Sequence, residues 1–239
     1  MTSSPALANV RVVLSHTSHP GNIGAAARAM KTMGLADLRL VNPKHFPDPQ
    51  AEAMASGALD VLERARVCAS LDEALAGTVL AAAASARGRE LRPEALDARA
   101  AAQRLAAEAA HAPVALVFGP EQAGLTSEEL GRCQLLVRIP VSPEYPSLNL
   151  AAAVQVLAYE LRMAALGAPE PPGPEFPPAT LDELERFYEH LEQTLLATGF
   201  LDPEHPKRLM PRLRRLFSRA RLEKEEVNIL RGVLRSMSK

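Results

Sequence analysis

The chain has no tryptophan, and aromatic residues make up only 4% of its 239 residues. That scarcity argues against base recognition on a platform of stacked rings. Its two cysteines, Cys68 and Cys133, are too few for a disulfide framework and lack the paired spacing of a zinc site. A formal net charge of −1 provides no global attraction to nucleic acid. Apolar runs are short. Residues 79–84 form one of the longest, far below the ~20 residues that span a bilayer. The opening MTSSPALANVRVVL carries no basic stretch ahead of its apolar run, so no export signal is expected. Together these absences point to a soluble cytoplasmic protein without a membrane segment.

What remains is an ordinary globular balance, 47% hydrophobic and 23% charged. Continuous β-rich runs occupy residues 10–14 (VRVVL), 38–41 (LRLV), 79–83, 114–118 (VALVF) and 135–141 (LLVRIPV). Lack of alternation suits strands buried on both faces of a parallel sheet. Helical stretches at 23–33, 49–62, 93–110 and 150–166, with a short one at 127–133, separate or follow these runs. The alternation predicts an α/β domain over residues 1–167. Residues 168–179, APEPPGPEFPPA, hold six prolines and predict a semi-rigid linker. Beyond it, Thr180 and Glu183 form a capping-box pattern ahead of a helix to about residue 198. Helices at 208–219 and 223–237 complete a small C-terminal module, residues 180–239.

Charge divides that module. Residues 171–206 carry one basic and eight acidic side chains, whereas residues 207–239 carry eleven basic and three acidic ones, a net of +8. Such a terminus can supply the salt-dependent part of nucleic-acid binding. A solvated helix face balanced by its acidic neighbour accounts for the same pattern equally well.

Four loops follow the C-terminal ends of predicted strands, where open α/β sheets bind ligands. The first, SHTSHPGNIGAAARAMK, has glycines for a tight strand-to-helix turn and a helix N-terminus that can receive an anion. It lacks both the G-x-G-x-x-G spacing of a dinucleotide site and the G-K-[ST] of a Walker loop. His16 and His19 lie in it without a third ligand, so no metal is expected. By residue type alone, Arg28 is a surface or interface arginine. In FGPEQAGLTSEEL, Gly119 permits close approach to the strand end, and Glu121 can orient a hydroxyl or a cation. Ser147 or Asn149, in IPVSPEYPSLNLAAAVQVLAYE, is a natural N-cap. The fourth loop, ASARGR, brings small residues and two arginines.

NIGAAARAMK, FGPEQAGLTSEEL and IPVSPEYPSLNLAAAVQV, in that order and spacing, resemble the three motifs of the SPOUT class of S-adenosylmethionine-dependent RNA 2'-O-ribose methyltransferases. The resemblance continues through KTMGLADLRLVNP, DLERFYEHLEQTLLATGF and RRLFSRAR…NILRGVL, and is closest to the bacterial TrmJ-type tRNA (cytidine/uridine-32-2'-O)-methyltransferases. It implies an α/β parallel sheet with a C-terminal trefoil knot, followed by a small helical module. It also implies a homodimer with each active site near the interface. By matching motif positions, the cofactor pocket comprises Ala84, Ser85, Ala86, Gly119, Ile139, Pro146, Ser147 and Leu148. Ala84 stands where relatives commonly have a hydroxyl residue, and Pro146 replaces a small polar one. Arg28, Asn22, Glu121, Ser147 and Asn149 fall on catalytic or RNA-handling positions. The substrate implied is tRNA, with Arg87, Arg212, Arg214, Arg215 and Arg219 as RNA contacts and no metal. The same chemistry on another tRNA or ribosomal RNA ribose, or an RNA-binding protein with a vestigial pocket, would share these motifs. A nucleotide-dependent oxidoreductase is disfavoured by the missing glycine fingerprint.

Overall fold

Uninterrupted runs of Val, Leu and Ala suit central strands covered on both sides, and the computed structural model of the chain places them there. It describes residues 5–85, 94–167 and 176–237. Seven strands form one parallel sheet: β1 (Val10–Ser15), β2 (Asp37–Val41), β3 (Arg66–Cys68), β4 (Leu80–Ala84), β5 (Glu94–Asp97), β6 (Val114–Phe118) and β7 (Leu135–Arg138). Their order is β3-β2-β1-β6-β4-β7-β5. β1 and β6, both buried along their whole length, lie side by side at the centre.

One face of the sheet packs against helices α2 (Pro20–Met33), α6 (Ala98–Ala109) and α8 (Leu150–Gly167). Pro20 opens α2, where its missing N–H and fixed φ cost nothing. Gly24 lets α3 (Pro49–Ala55) lie almost against it, since a Cβ there would stand 1.9 Å from the Ala51 carbonyl oxygen. By length and composition α8 is apolar enough to cross a membrane. In this fold one side of it packs into the core, with Val154, Leu157 and Leu161 buried, Glu160 paired to Arg99 and Arg162 donating to the Met33 carbonyl.

The other face is closed partly by α5 (Leu71–Leu75) and α7 (Ser127–Gly131). The C-terminal helices α9 (Leu181–Ala197), α10 (Leu209–Ala220) and α11 (Lys224–Met237) complete it. Leu181, Leu184, Phe187, Tyr188 and Leu191 of α9 share a core with Val13, Val117 and Leu136 of the sheet. Thr180 caps α9 by the expected reciprocal box with Glu183. Asp182 adds a tie by accepting from the Gly77 amide at 3.0 Å.

Several sequence-based boundaries shift. The stretch 93–110 begins as strand β5, because residues 94–97 pair with β7 before Asp97 caps α6. The stretch 49–62 is cut into α3, a 3-10 turn at Ser56–Ala58 and α4 (Leu59–Glu63), with Ser56 at φ 51°. β7 stops at Arg138, ahead of Pro140, rather than reaching residue 141. The short strand β3 and helix α5 have no counterpart in the sequence reading. Residues 177–179, read as linker, are pinned: Pro178 bridges Glu223 antiparallel and the Ala179 amide donates to the Leu222 carbonyl at 2.9 Å.

Candidate functional site

Parallel strands deliver their loops to one edge, so the C-terminal ends of β1, β6, β4 and β7 can gather residues far apart in sequence. They do so around Glu121. Its carboxylate accepts from the Ser18 hydroxyl (2.8 Å), the Ser18 amide (3.2 Å), the Asn22 side-chain amide (2.8 Å) and the His19 amide (3.4 Å). Asn149 then donates to the Asn22 Oδ1 at 2.9 Å. With its own Oδ1 it caps α8 through the Ala151 amide, also at 2.9 Å. One hydrogen-bonded chain thus joins the three motif segments.

Burial by itself pushes the Glu121 carboxyl up, but hydrogen bonds from Asn22, its own backbone and Ser18 outweigh it and bring it down to about 2. A carboxylate so well supplied with donors is a poor proton acceptor near neutral pH. Its work is to hold loops together.

A second knot of side chains lies beside it. The Ser15 hydroxyl donates to Glu129 Oε1 at 2.5 Å and stands 2.8 Å from His16 Nδ1. With its single proton committed, Ser15 accepts from His16, which places the imidazole hydrogen on Nδ1. This order does not make a hydrolytic triad, because the hydroxyl is aimed at the acid and Ser15 is buried. Glu129 also closes the capping box of α7 with Thr126.

The remaining sequence candidates divide. Ala84 pairs with Phe118 of β6 and Val137 of β7, and the Ser85 amide donates to the Val137 carbonyl at 3.1 Å. Ala84, Ser85, Gly119 and Ile139 therefore share adjacent strand ends. Gly119 faces its own loop: a Cβ would lie 2.3 Å from the Leu125 nitrogen and 2.5 Å from the Gly124 carbonyl carbon. The glycine serves a tight return of the 119–125 loop, the chain itself being what approaches. Pro146, Ser147 and Leu148 stand in an exposed loop, and the backbone amides of Ser147 and Leu148 make no hydrogen bond among the described residues. Ala86 and Arg87 lie outside the described residues.

Arg28 is exposed on α2, six residues beyond Asn22, about 9 Å along the axis and roughly a third of a turn around it. It does not join the Glu121 chain, and among the described residues its guanidinium has no ion-pair partner.

On α10 the four-arginine charge reading separates into two faces. Met210, Leu213 and Phe217 pack inward, while Arg212, Arg215 and Arg219 are exposed on the opposite side without an ion-pair partner among the described residues. Arg214 points inward. It forms a two-pronged pair with Glu185, at 2.6 and 2.7 Å, and its guanidinium lies 4.3 Å from the centre of the Tyr188 ring. Sequence reasoning missed Ser18, Ser15, Glu129, Arg132 and Glu185. For Arg214 there was a usable signal, since it lies four residues past Met210 on the apolar stripe.

Comparison with known proteins agrees with the geometry. Residues 9–159 match the SpoU rRNA Methylase family, and residues 182–239 match the family described as tRNA methyltransferase TrmJ, C-terminal domain. The tRNA (cytidine/uridine-2'-O-)-methyltransferase TrmJ of Klebsiella pneumoniae is 57% identical over 236 residues, 97% of each chain. Its namesake from Escherichia coli strain K12 is 56% identical over 235 residues, covering 97% of this chain and 96% of that one. The crystal structure of TrmJ from Z. mobilis ZM4 superposes with a TM-score of 0.84 at 36% identity, covering 96% of this chain and 99% of the other. With its motif loops converging on Glu121 and its helical module closing the sheet, the chain belongs to the SpoU methylase family and carries the TrmJ-type C-terminal domain.

Proposed function

We propose that this protein transfers a methyl group from S-adenosylmethionine to the ribose 2'-oxygen of the cytidine or uridine at position 32 of the tRNA anticodon loop. What carries the reading is the end-to-end identity with TrmJ relatives, spanning both the core and the C-terminal module. Residues 1–167 are the methyltransferase domain, 168–179 the linker and 180–239 the tRNA-binding extension. Working on tRNA places the protein in the cytoplasm.

The cofactor pocket proposed is Ala84, Ser85, Ala86, Gly119, Ile139, Pro146, Ser147 and Leu148. The described part offers what a nucleoside ligand needs: amides at Ser147 and Leu148 that make no hydrogen bond among the described residues, and small residues at the adjacent ends of β4 and β6. When bound, S-adenosylmethionine supplies a methyl group on a sulfonium that leaves as a neutral thioether, while the ribose hydroxyl gives up its proton. Glu121, Asn22 and Asn149 keep the three loops in register around that pocket. Arg28 is permanently charged, so it is no base. Its exposed guanidinium can steady the developing alkoxide and grip a neighbouring phosphate, while the hydroxyl proton passes to solvent water.

The strand order supports a trefoil arrangement: β7, the last strand in sequence, lies between β4 and β5, which are consecutive strands. A homodimer is supported by Tyr159, Met163 and Leu166, exposed at i, i+4 and i+7 along α8.

Mapping 2'-O-methyl groups on tRNA from a strain lacking this protein tests the reading. The mark at position 32 should vanish, and its persistence would overturn the assignment. Arg28→Ala should lower kcat by about 10²-fold or more with cofactor affinity unchanged. Activity within a few-fold of the parent would remove Arg28 from the mechanism.

A further inference from the structure

One carboxylate bridges the core and the basic helix. Glu185 of α9 receives Arg214 of α10 on both oxygens, at 2.6 and 2.7 Å, and on Oε2 it also receives Arg132, at 2.7 Å. Arg132 is the C-cap of α7 and pairs as well with Asp72 of α5 at 3.0 Å. All three bridging side chains are about four-fifths buried, with exposures of 21–22%. The Tyr188 ring under Arg214 and its neighbours Phe187 and Phe217 shield the cluster, so it is only partly screened by water.

The bridge has a particular address. α7 begins straight after the 119–125 loop, and its Glu129 holds Ser15 at the end of β1. From the candidate site to the exposed arginines the path is therefore continuous: the Glu121 loop, α7, Arg132, Glu185, Arg214 and α10. Arg214 lies on the packed side of α10 and has both prongs engaged, while Arg212, Arg215 and Arg219 face solvent.

Resting on the proposed tRNA methylation, we infer that Glu185, gripped by Arg132 and Arg214, is a positioning residue that sets where the arginine stripe of α10 stands relative to the catalytic loops. Arg214 then contributes no phosphate contact. RNA held by the stripe is presented to the site at a distance and angle fixed by this bridge. A misplacement of about 1 Å far from the chemistry costs up to about 10²-fold in rate.

Charge alone and positioning predict opposite signs for one substitution. Glu185→Gln removes a negative charge beside a basic helix, so a pure field effect tightens tRNA binding. Positioning instead lowers kcat/KM for tRNA by about ten- to a hundredfold. The full-length chain is to be compared with Glu185→Gln, Arg132→Gln, Arg132→Lys and Arg214→Gln. Measurements are tRNA kinetics at several salt concentrations and calorimetry with S-adenosylmethionine. The three Gln variants should share the loss in kcat/KM, and Arg132→Lys, which keeps the charge without the fork, should recover part of it. Cofactor affinity and the salt slope should match the parent. A slope reduced by about 0.7–0.9 in Arg214→Gln alone would make Arg214 a phosphate contact and overturn the inference. So would a Glu185→Gln chain as efficient as the parent. If Glu185→Gln does not fold, Arg132→Lys and the slope of Arg214→Gln still decide. A parent chain that methylates no tRNA would defeat the functional reading instead.

Discussion

At Glu121 desolvation and hydrogen bonding pull in opposite directions. Donors from Ser18, His19 and Asn22 win, and the carboxyl sits at about 2 instead of its usual 4.5. A carboxyl lowered by folding stabilises the protein above its unfolded value, and that contribution disappears as pH falls through the folded one. The window is therefore pH 4.5 down to about 2. The group is partly open to solvent, so after screening its worth is on the order of 1 kcal/mol. Glu121→Gln should lower stability by that amount at pH 7 and by almost nothing near pH 2. Urea unfolding across this range checks it, and a parallel loss at every pH would refute the charge argument. Cys133 marks the other extreme, fully buried with its thiol pushed up to about 12 by desolvation and Glu129, which makes it an inert packing residue.

Among the elements, the 119–125 loop shows how a correct residue can carry an incomplete reason. Gly119 stands out in sequence as a glycine after a strand, implying close approach by another molecule. The approach is by the loop's own backbone, 2.3 Å from where a Cβ would be. Gly119→Val should thus cost about 1–3 kcal/mol of stability by overpacking and weaken cofactor binding at the same time. Thermal melting beside calorimetry separates the cases: weakened binding at an unchanged melting temperature would mean that the side chain points into the pocket. The central strands were legible because burial on both faces leaves a continuous apolar run, as in VALVF. β5 was not, since its EALD holds only two apolar residues and pairs on one side with a strand 41 positions later. The Glu121 chain was legible as three separate motifs, but nothing in sequence links Asn22 to Asn149 across 127 residues. Counting arginines placed Arg214 with its neighbours. Only the helical wheel, with Met210, Leu213 and Phe217 as its apolar stripe, turns it inward.

Across the whole molecule, a net charge of −1 conceals a terminus of +8, and three of its exposed arginines, Arg212, Arg215 and Arg219, lie on one side of α10. Replacing Arg212, Arg215 and Arg219 together by Gln should weaken tRNA binding and reduce the slope of log affinity against log salt by about 2–3. Melting temperature should hardly change, because these side chains are exposed and have no ion-pair partner among the described residues. An unaltered slope in the folded triple variant would place the RNA elsewhere. The module is also structural, since α9 completes the second face of the sheet. On α10 the proposed phosphate contacts and the packed residues Met210, Leu213 and Phe217 thus lie on opposite sides of one helix.

The place of β7 between β4 and β5 also governs when this protein can exist as a working object. A chain emerging N-terminus first holds residues 94–97 without their sheet neighbour until residues 135–138 have been made. At about 5–20 residues per second that is a wait of roughly 2–8 s on the ribosome. Asn22 waits longer still for Asn149, 127 positions away. A product ended before Pro146 lacks both the exposed 146–148 loop and the hydrogen bond between Asn149 and Asn22. On the proposed pocket, such truncated products are silent on two counts: they lack the loop assigned to the methyl donor, and Asn22 lacks its tie to Asn149.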